Sequence, residues 1–392
     1  MPKERRDVSS RLHPILLMPL LLGLPIAAYA GYWFLTAQVM ENGLQSWIDQ
    51  RRAEGFEISH GTVTIQGFPI EVAVTVPEPV VVAPPEQGGW EWRGDGITAT
   101  VTPWAASEIS VTTHGVHHVT PPIDQGLSPL SLQEGTLIAD LTLDLMTGEV
   151  GDTRVSFDNA VVQGLTPLGP VKLEALTISH MVGQTQGAGP ESTSLSLAVE
   201  GTNLTLPPGL TPSLAPTISS LSLTADVMSS FGPGPLSDSL ALWRDAGGLI
   251  NITNLDVDWK PLRLKTKGTL TLDQDMQPIG SFNATIQGFL EAIDGLARTQ
   301  LVTRTNATLA KVVLNTLARR SLDGGSAVLY IPVSVTKSKV FLANVPLVVL
   351  PPLTWGAKEP LSAPPTSATP LAINPGLTLT PADPAAPAAG EE

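Results

Sequence analysis

The residues best suited to chemistry are few. Six histidines are present, and His114-Gly-Val-His117-His118 is their only cluster. On a strand, successive side chains point to opposite faces, so His117 and His118 cannot readily share one ion. No acidic partner stands at a familiar ligand spacing, and the expectation is no metal site. The chain has no Gly-x-Ser-x-Gly elbow, no phosphate-binding Gly-Lys-Ser/Thr loop and no His-Glu-x-x-His helix. There is no cysteine, which excludes disulfides, Cys-ligated zinc and thiol nucleophiles and leaves the redox compartment open. Asn-x-Thr sequons begin at Asn203, Asn251, Asn283 and Asn306, as a Thr-rich chain produces by composition alone. The expectation is therefore a non-enzymatic protein, with no catalytic residues and no cofactor.

The composition says what must position whatever surface remains. Of 392 residues only 5% are aromatic and 15% charged, with 35 Gly and 36 Pro. An average soluble protein carries roughly 25% charged residues; here Thr, Ser, Gly and Pro take their place. That mixture suits short strands joined by tight turns and disfavours a helical bundle. A net charge of -14 argues against nucleic acid, whose phosphates require Lys and Arg. It also argues against adhesion to an anionic membrane by a basic patch.

The first forty residues carry the clearest signal. Four positive charges, ending at Arg11, precede a run from Ile15 to Ala37 that has no charged residue. About 20 such residues cross the hydrocarbon of a bilayer. Leu22 and Ala30 lie within the run, and Tyr29, Tyr32 and Trp33 cluster near its far end, where amphipathic rings favour the headgroup level. The positive-inside rule puts the N-terminus in the cytoplasm and the bulk of the chain outside. The expected arrangement is a basic leader at 1–14, a transmembrane helix at 15–37 and an amphipathic juxtamembrane helix at 38–55. The localisation that follows is a single-pass bacterial inner-membrane protein with a periplasmic domain. A second reading stays open: Ala28-Tyr-Ala30 resembles a signal-peptidase site, and cleavage there would also export the rest.

From Phe56 the apolar period changes to two. Val63 and Ile65, then Ile70, Val72, Val74 and Val76, put apolar side chains on one face. The pattern recurs through Leu137–Leu145, which includes Leu141 and Leu143, and in some ten further runs ending at Lys339–Leu342. Helical spacing interrupts it at Ser237–Gly247 and again at Leu309, Val313 and Leu317. Thr-Ile-Gln-Gly-Phe occurs twice, at Thr64–Phe68 and Thr285–Phe289, and reads as a strand ending at a glycine kink with the aromatic turned back on the sheet. Residues 356–392 are Pro- and Ala-rich, with too little apolar surface to order themselves. The expected fold is mainly β, a β-rich α+β chain. An N-terminal transmembrane helix leads into a large, mostly antiparallel twisted sheet or β-trough with a few short helices. That domain covers 56–355, as one sheet or as two lobes divided near residue 190.

The order of anchor, Trp47 helix, Gly55-Phe56 and Val63-Thr-Ile-Gln-Gly-Phe-Pro-Ile70 resembles the DUF2125 family of uncharacterised alphaproteobacterial proteins. Its most telling piece is the Gly67-Phe68-Pro69 turn. Lys267–Asp273 with Pro278-Ile-Gly280 is similar to a strand pair in that family and in AsmA-like envelope proteins. Ile331-Pro332 and the run from Val345 to Pro351-Pro-Leu resemble the family's end. The resemblance brings no catalytic residues, and through the AsmA-like proteins it implies a membrane-anchored trough that handles phospholipid. Strands with Thr and Ser on one side must bury their apolar side against a second sheet or a ligand. The expectation is an acyl chain against Val63, Ile65, Val72, Val74, Leu141 and Leu143. The alternative is a structural or assembly factor that binds other envelope proteins.

Overall fold

The computed structural model describes residues 14–121, 128–144, 146–183, 193–208, 214–231, 236–298, 304–319, 327–343, 345–350 and 352–353. The basic leader and the 356–392 tail lie outside the described residues. The chain opens with α1 (Pro14–Ala53), one continuous helix across the segments expected to be an anchor and a separate juxtamembrane helix. Pro19 and Pro25 do not interrupt it. It stops at Gly55, whose φ of 93° suits glycine; Phe56 N–H donates back to Arg51 O at 3.0 Å. Among the described residues no helix is long and apolar enough to cross a membrane. The side chains of residues 14–22, Ile15 and Leu22 among them, lie outside the described set.

Among the described residues, seventeen strands follow in one sheet. They are β1 (Glu57–Ser59), β2 (Thr64–Gln66), β3 (Val72–Pro77), β4 (Val80–Val82), β5 (Glu91–Val101), β6 (Glu108–Thr120), β7 (Leu130–Leu143), β8 (Val150–Gln163) and β9 (Val171–Val182). The remainder are β10 (Thr193–Thr205), β11 (Thr217–Met228), β12 (Leu249–Trp259), β13 (Leu262–Leu272), β14 (Pro278–Gln287), β15 (Val328–Thr336), β16 (Lys339–Leu342) and β17 (Val345–Val349). From β5 to β17 each strand pairs antiparallel with the next, an open meander. β3 and β4 share β5 end to end, with β2 on β3 and β1 on β4. Residues 195–205 of β10 pair with 172–182 of β9, so the sheet runs on without a division near residue 190. The expected mainly-β, antiparallel class is the observed one.

Among the described residues, three α-helices interrupt the meander: α2 (Leu236–Asp245) between β11 and β12, and α3 (Phe289–Arg298) and α4 (Arg304–Leu317) between β14 and β15. β4, β6, β17 and α3 were not legible as elements. In β6 the apolar alternation of Ile109 and Val111 loses its phase at Gly115, whose φ is 71°. Gly115 belongs to a line of left-handed residues on neighbouring strands, with Gly135 in β7, Asn159 in β8 and Asn203 in β10. The ladders of β5–β6, β6–β7 and β7–β8 all slip there. Such bulges bend strands and exchange their faces. At Gly135 a Cβ would stand 2.5 Å from Asp158 O, so no larger residue fits.

The apolar core is divided. α3 and α4 press Phe289, Ile293, Ala307, Ala310 and Leu314 onto Ala284, Ile286, Leu329 and Ile331 of β14 and β15. At the other flank α1 lays Trp33 and Ala37 on Val72 and Val74 of β3. A third cluster, around Leu132, Ala160, Val171 and Leu173, forms beyond the line of bulges.

Candidate functional site

Hydrogen-bonded register brings one unbroken row of side chains across twelve strands: Val74, Ala99, Val111, Ala139, Val155, Ile178, Val199, Leu223, Leu255, Thr266, Ala284 and Ile331. Eleven of the twelve are apolar. The adjacent row, one residue away and therefore on the opposite face, is Thr75, Thr98, Thr112, Ile138, Ser156, Thr177, Glu200, Ser222, Asp256, Lys265, Thr285 and Tyr330. Hydroxyls on that face pair across strands, as Thr75 does with Thr98 at 3.0 Å. Along these two rows the sheet has one apolar and one polar side; beyond the line of bulges the faces exchange, and in β9 Val171 and Leu173 are buried on the face that carries Thr177.

α1 covers one end of this row and α3 with α4 the other; Ala225 and Val227 of β11 are also buried, beside α2, whose Trp243 Nε1 donates to Met228 O at 2.8 Å. Val74 is 2% exposed beneath α1, and Ala284 and Ile331 are each 4% exposed beneath α3 and α4. Between them, every residue of the row from Ala99 to Leu255 is half-buried. The expected ligand face is accordingly split. Val72 and Val74 are sealed under α1, with Val63 and Ile65 packed beside them, because the helix claims the first strands as its own packing surface. Leu141 and Leu143 are half-buried in the uncovered part. Leu141 continues the row Val72, Val101, Ile109.

The Gly67-Phe68-Pro69 segment forms the turn between β2 and β3. Gly67 has φ 108°, and a Cβ there would meet Glu71 O at 2.6 Å. Two tyrosines and a tryptophan of α1 hold this end of the sheet: Tyr29 Oη donates to Pro69 O, Tyr32 Oη to Pro103 O at 2.7 Å and Trp33 Nε1 to Glu71 O at 2.7 Å. In the second Thr-Ile-Gln-Gly-Phe copy, Phe289 is 4% exposed in the core whereas Phe68 is 53% exposed. Only the second copy turns its ring inward.

The histidine cluster assembles no reactive site. His117 is buried and stacked on Trp92 at 5.8 Å, and His114 Nε2 pairs with Thr98 Oγ1 at 2.8 Å. Burial lowers the His117 pKa from 6.5, opposed by its bond to His114 O and by the Asp95 carboxylate. Among the described residues no three His, Asp or Glu side chains could hold a metal ion. A groove of about 450 Å³ crosses β5–β9 on the polar side, lined by Thr100, Ser110, Asp140, Arg154 and Ser179. A second, of about 490 Å³, gathers Trp47, Phe56, Trp90, Trp92 and Arg51 near the end of α1. Sequence reading missed both. The aromatic one had a signal, the concentration of scarce Trp at residues 90–92.

Fold and surface together define a class: an open antiparallel sheet, apolar on one side, with helices covering that side at its two flanks. The chain belongs to the family described as "Uncharacterized protein conserved in bacteria (DUF2125)", whose model matches residues 33–351. No curated protein and no solved structure matches it.

Proposed function

We propose that this is a lipid-contacting protein of the bacterial envelope, anchored in the inner membrane by residues 15–37, with its sheet in the periplasm. It acts without catalysis, by offering acyl chains the apolar side of the sheet. The observation that carries this reading is the row from Ala99 to Leu255, apolar without a break and only half-buried. Apolar surface of that extent facing water is costly and adhesive. Eight strands at roughly 4.8 Å spacing make a path of about 34 Å, longer than the acyl chains of one leaflet in a hydrocarbon core of about 30 Å.

The test uses neighbouring positions that differ only in face. A photo-crosslinking residue is placed in the full-length chain, in membranes, at Val199 or Leu223 on the apolar side and at Glu200 or Ser222 on the polar side. Phospholipid adducts are expected at the first pair and not at the second. Equal labelling at all four, or protein adducts alone at Val199 and Leu223, would overturn the lipid reading; the second result would favour an assembly factor.

A further inference from the structure

Deepening the membrane-anchored reading, on which it rests, we infer that two turns beside α1 dip into the membrane surface and seat this end of the sheet in the leaflet. The turns are Gly67–Ile70 and the segment from Thr102 that bears Trp104. Their tips carry large apolar side chains that stay exposed: Phe68, which meets Trp33 only edge-on, is 53%, Ile70 65% and Trp104 68% exposed.

Their height along α1 is set by hydrogen bonds. The donors Tyr29, Tyr32 and Trp33 reach the carbonyls of Pro69, Pro103 and Glu71. At 1.5 Å rise per residue, Tyr29 and Trp33 lie about 12 and 6 Å short of Ala37, the outer end of the proposed span. The helix at this level is itself apolar and open, with Leu24, Ile26, Phe34 and Leu35 all exposed.

The backbone chemistry fits such a place. Carbonyl and N–H groups left unpaired in a lipid-facing environment are costly, because no water is there to satisfy them. Here the outward carbonyls of Pro69 and Pro103 are taken by tyrosine hydroxyls, and proline has no N–H to satisfy. Ile70 and Glu71 N–H donate to Gly67 O, and Ala105 N–H to Thr102 O. Neither residues 66–71 nor 102–108 contain Lys or Arg, so the insertion is apolar rather than electrostatic and needs no anionic lipid.

The absence of cysteine makes the test clean. Single variants Leu24→Cys, Ile70→Cys, Trp104→Cys and Leu168→Cys of the full chain are labelled with a polarity-sensitive fluorophore and reconstituted into phosphatidylcholine vesicles. Leu168 is 54% exposed in the β8–β9 loop at the opposite end of the sheet. Lipids carrying a nitroxide along the acyl chain should quench the labels at 24, 70 and 104 and spare the one at 168. Quenching at 24, with 70 and 104 behaving like 168, would overturn the inference and leave the anchor standing. An unquenched label at 24 would overturn both.

Discussion

Leu314 and Leu223 are both leucines on the apolar side of one sheet, and their truncation should have very different costs. Leu314 is 0% exposed, enclosed by α3, α4 and β15. Leu223 is half-buried in β11 and belongs to neither helix-packed cluster. Leu314→Ala removes transfer energy and leaves a cavity, at a cost of about 3–4 kcal/mol. Leu223→Ala forfeits roughly half of the 1.5–3 kcal/mol of full burial, about 1 kcal/mol, and leaves no cavity because its outer side is already open. The assay is urea unfolding of the full chain in detergent, followed by tryptophan fluorescence. With a slope of about 3 kcal/mol/M, the midpoint should fall by about 1 M for Leu314→Ala and about 0.3 M for Leu223→Ala. Equal shifts would refute the reasoning, because they would mean that Leu223 is as enclosed as Leu314 and the apolar side is not open.

Two further outcomes follow from the His117 environment. Burial favours the neutral imidazole, so the folded chain resists a proton that the unfolded chain accepts below 6.5. Stability should be fully present above that value and should fall as pH drops toward the lowered folded value. Replacing His117 with Phe should flatten this part of the profile between pH 7.5 and 5, measured as urea midpoints. At Gly94 a Cβ would stand 2.3 Å from His117 Nδ1, so Gly94→Ala must push the ring off Trp92. A loss of about 1–3 kcal/mol is expected, with a changed near-UV circular dichroism. Gly43→Ala, which meets nothing within 4 Å in α1, should be neutral or stabilising by up to about 1 kcal/mol.

The strand alternation was legible because each strand has one apolar and one polar face, and Val155, Ile178, Val199 and Leu223 announce it directly. The row they form across the sheet was not, since pairing order and register depend on contacts between strands. The covering of Val72 and Val74 was hidden for the same reason. Nothing local in Val72-Ala-Val-Thr-Val says that Trp33, some forty residues earlier, packs against it. β6 escaped notice because Gly115 shifts its phase; His117 within it is a packing residue stacked on Trp92. α3 was masked by Thr285-Ile-Gln-Gly-Phe289, which reads as the end of a strand and is also the start of a helix.

That repeated pentapeptide shows how one local device serves both flanks. In each copy a strand ends at a left-handed glycine, Gly67 with φ 108° and Gly288 with φ 67°. After Gly288 the chain turns Phe289 inward and builds α3 and α4 over the apolar side. After Gly67 it turns Phe68 outward, touching Trp33 only by its edge at 5.5 Å, because α1 already occupies the space over β3. An open sheet must protect its outermost strands from pairing with other chains and its apolar side from water. α1 covers the apolar side at β2–β3 and α3 with α4 at β14–β15, while the row from Ala99 to Leu255 between them stays half-buried. In the lipid-contacting role proposed above, the packing under α1 and under α3 and α4 is separate from the row offered to acyl chains. On that proposal, substitutions in the middle of the row alter what the surface accepts while the buried clusters elsewhere in the sheet are untouched.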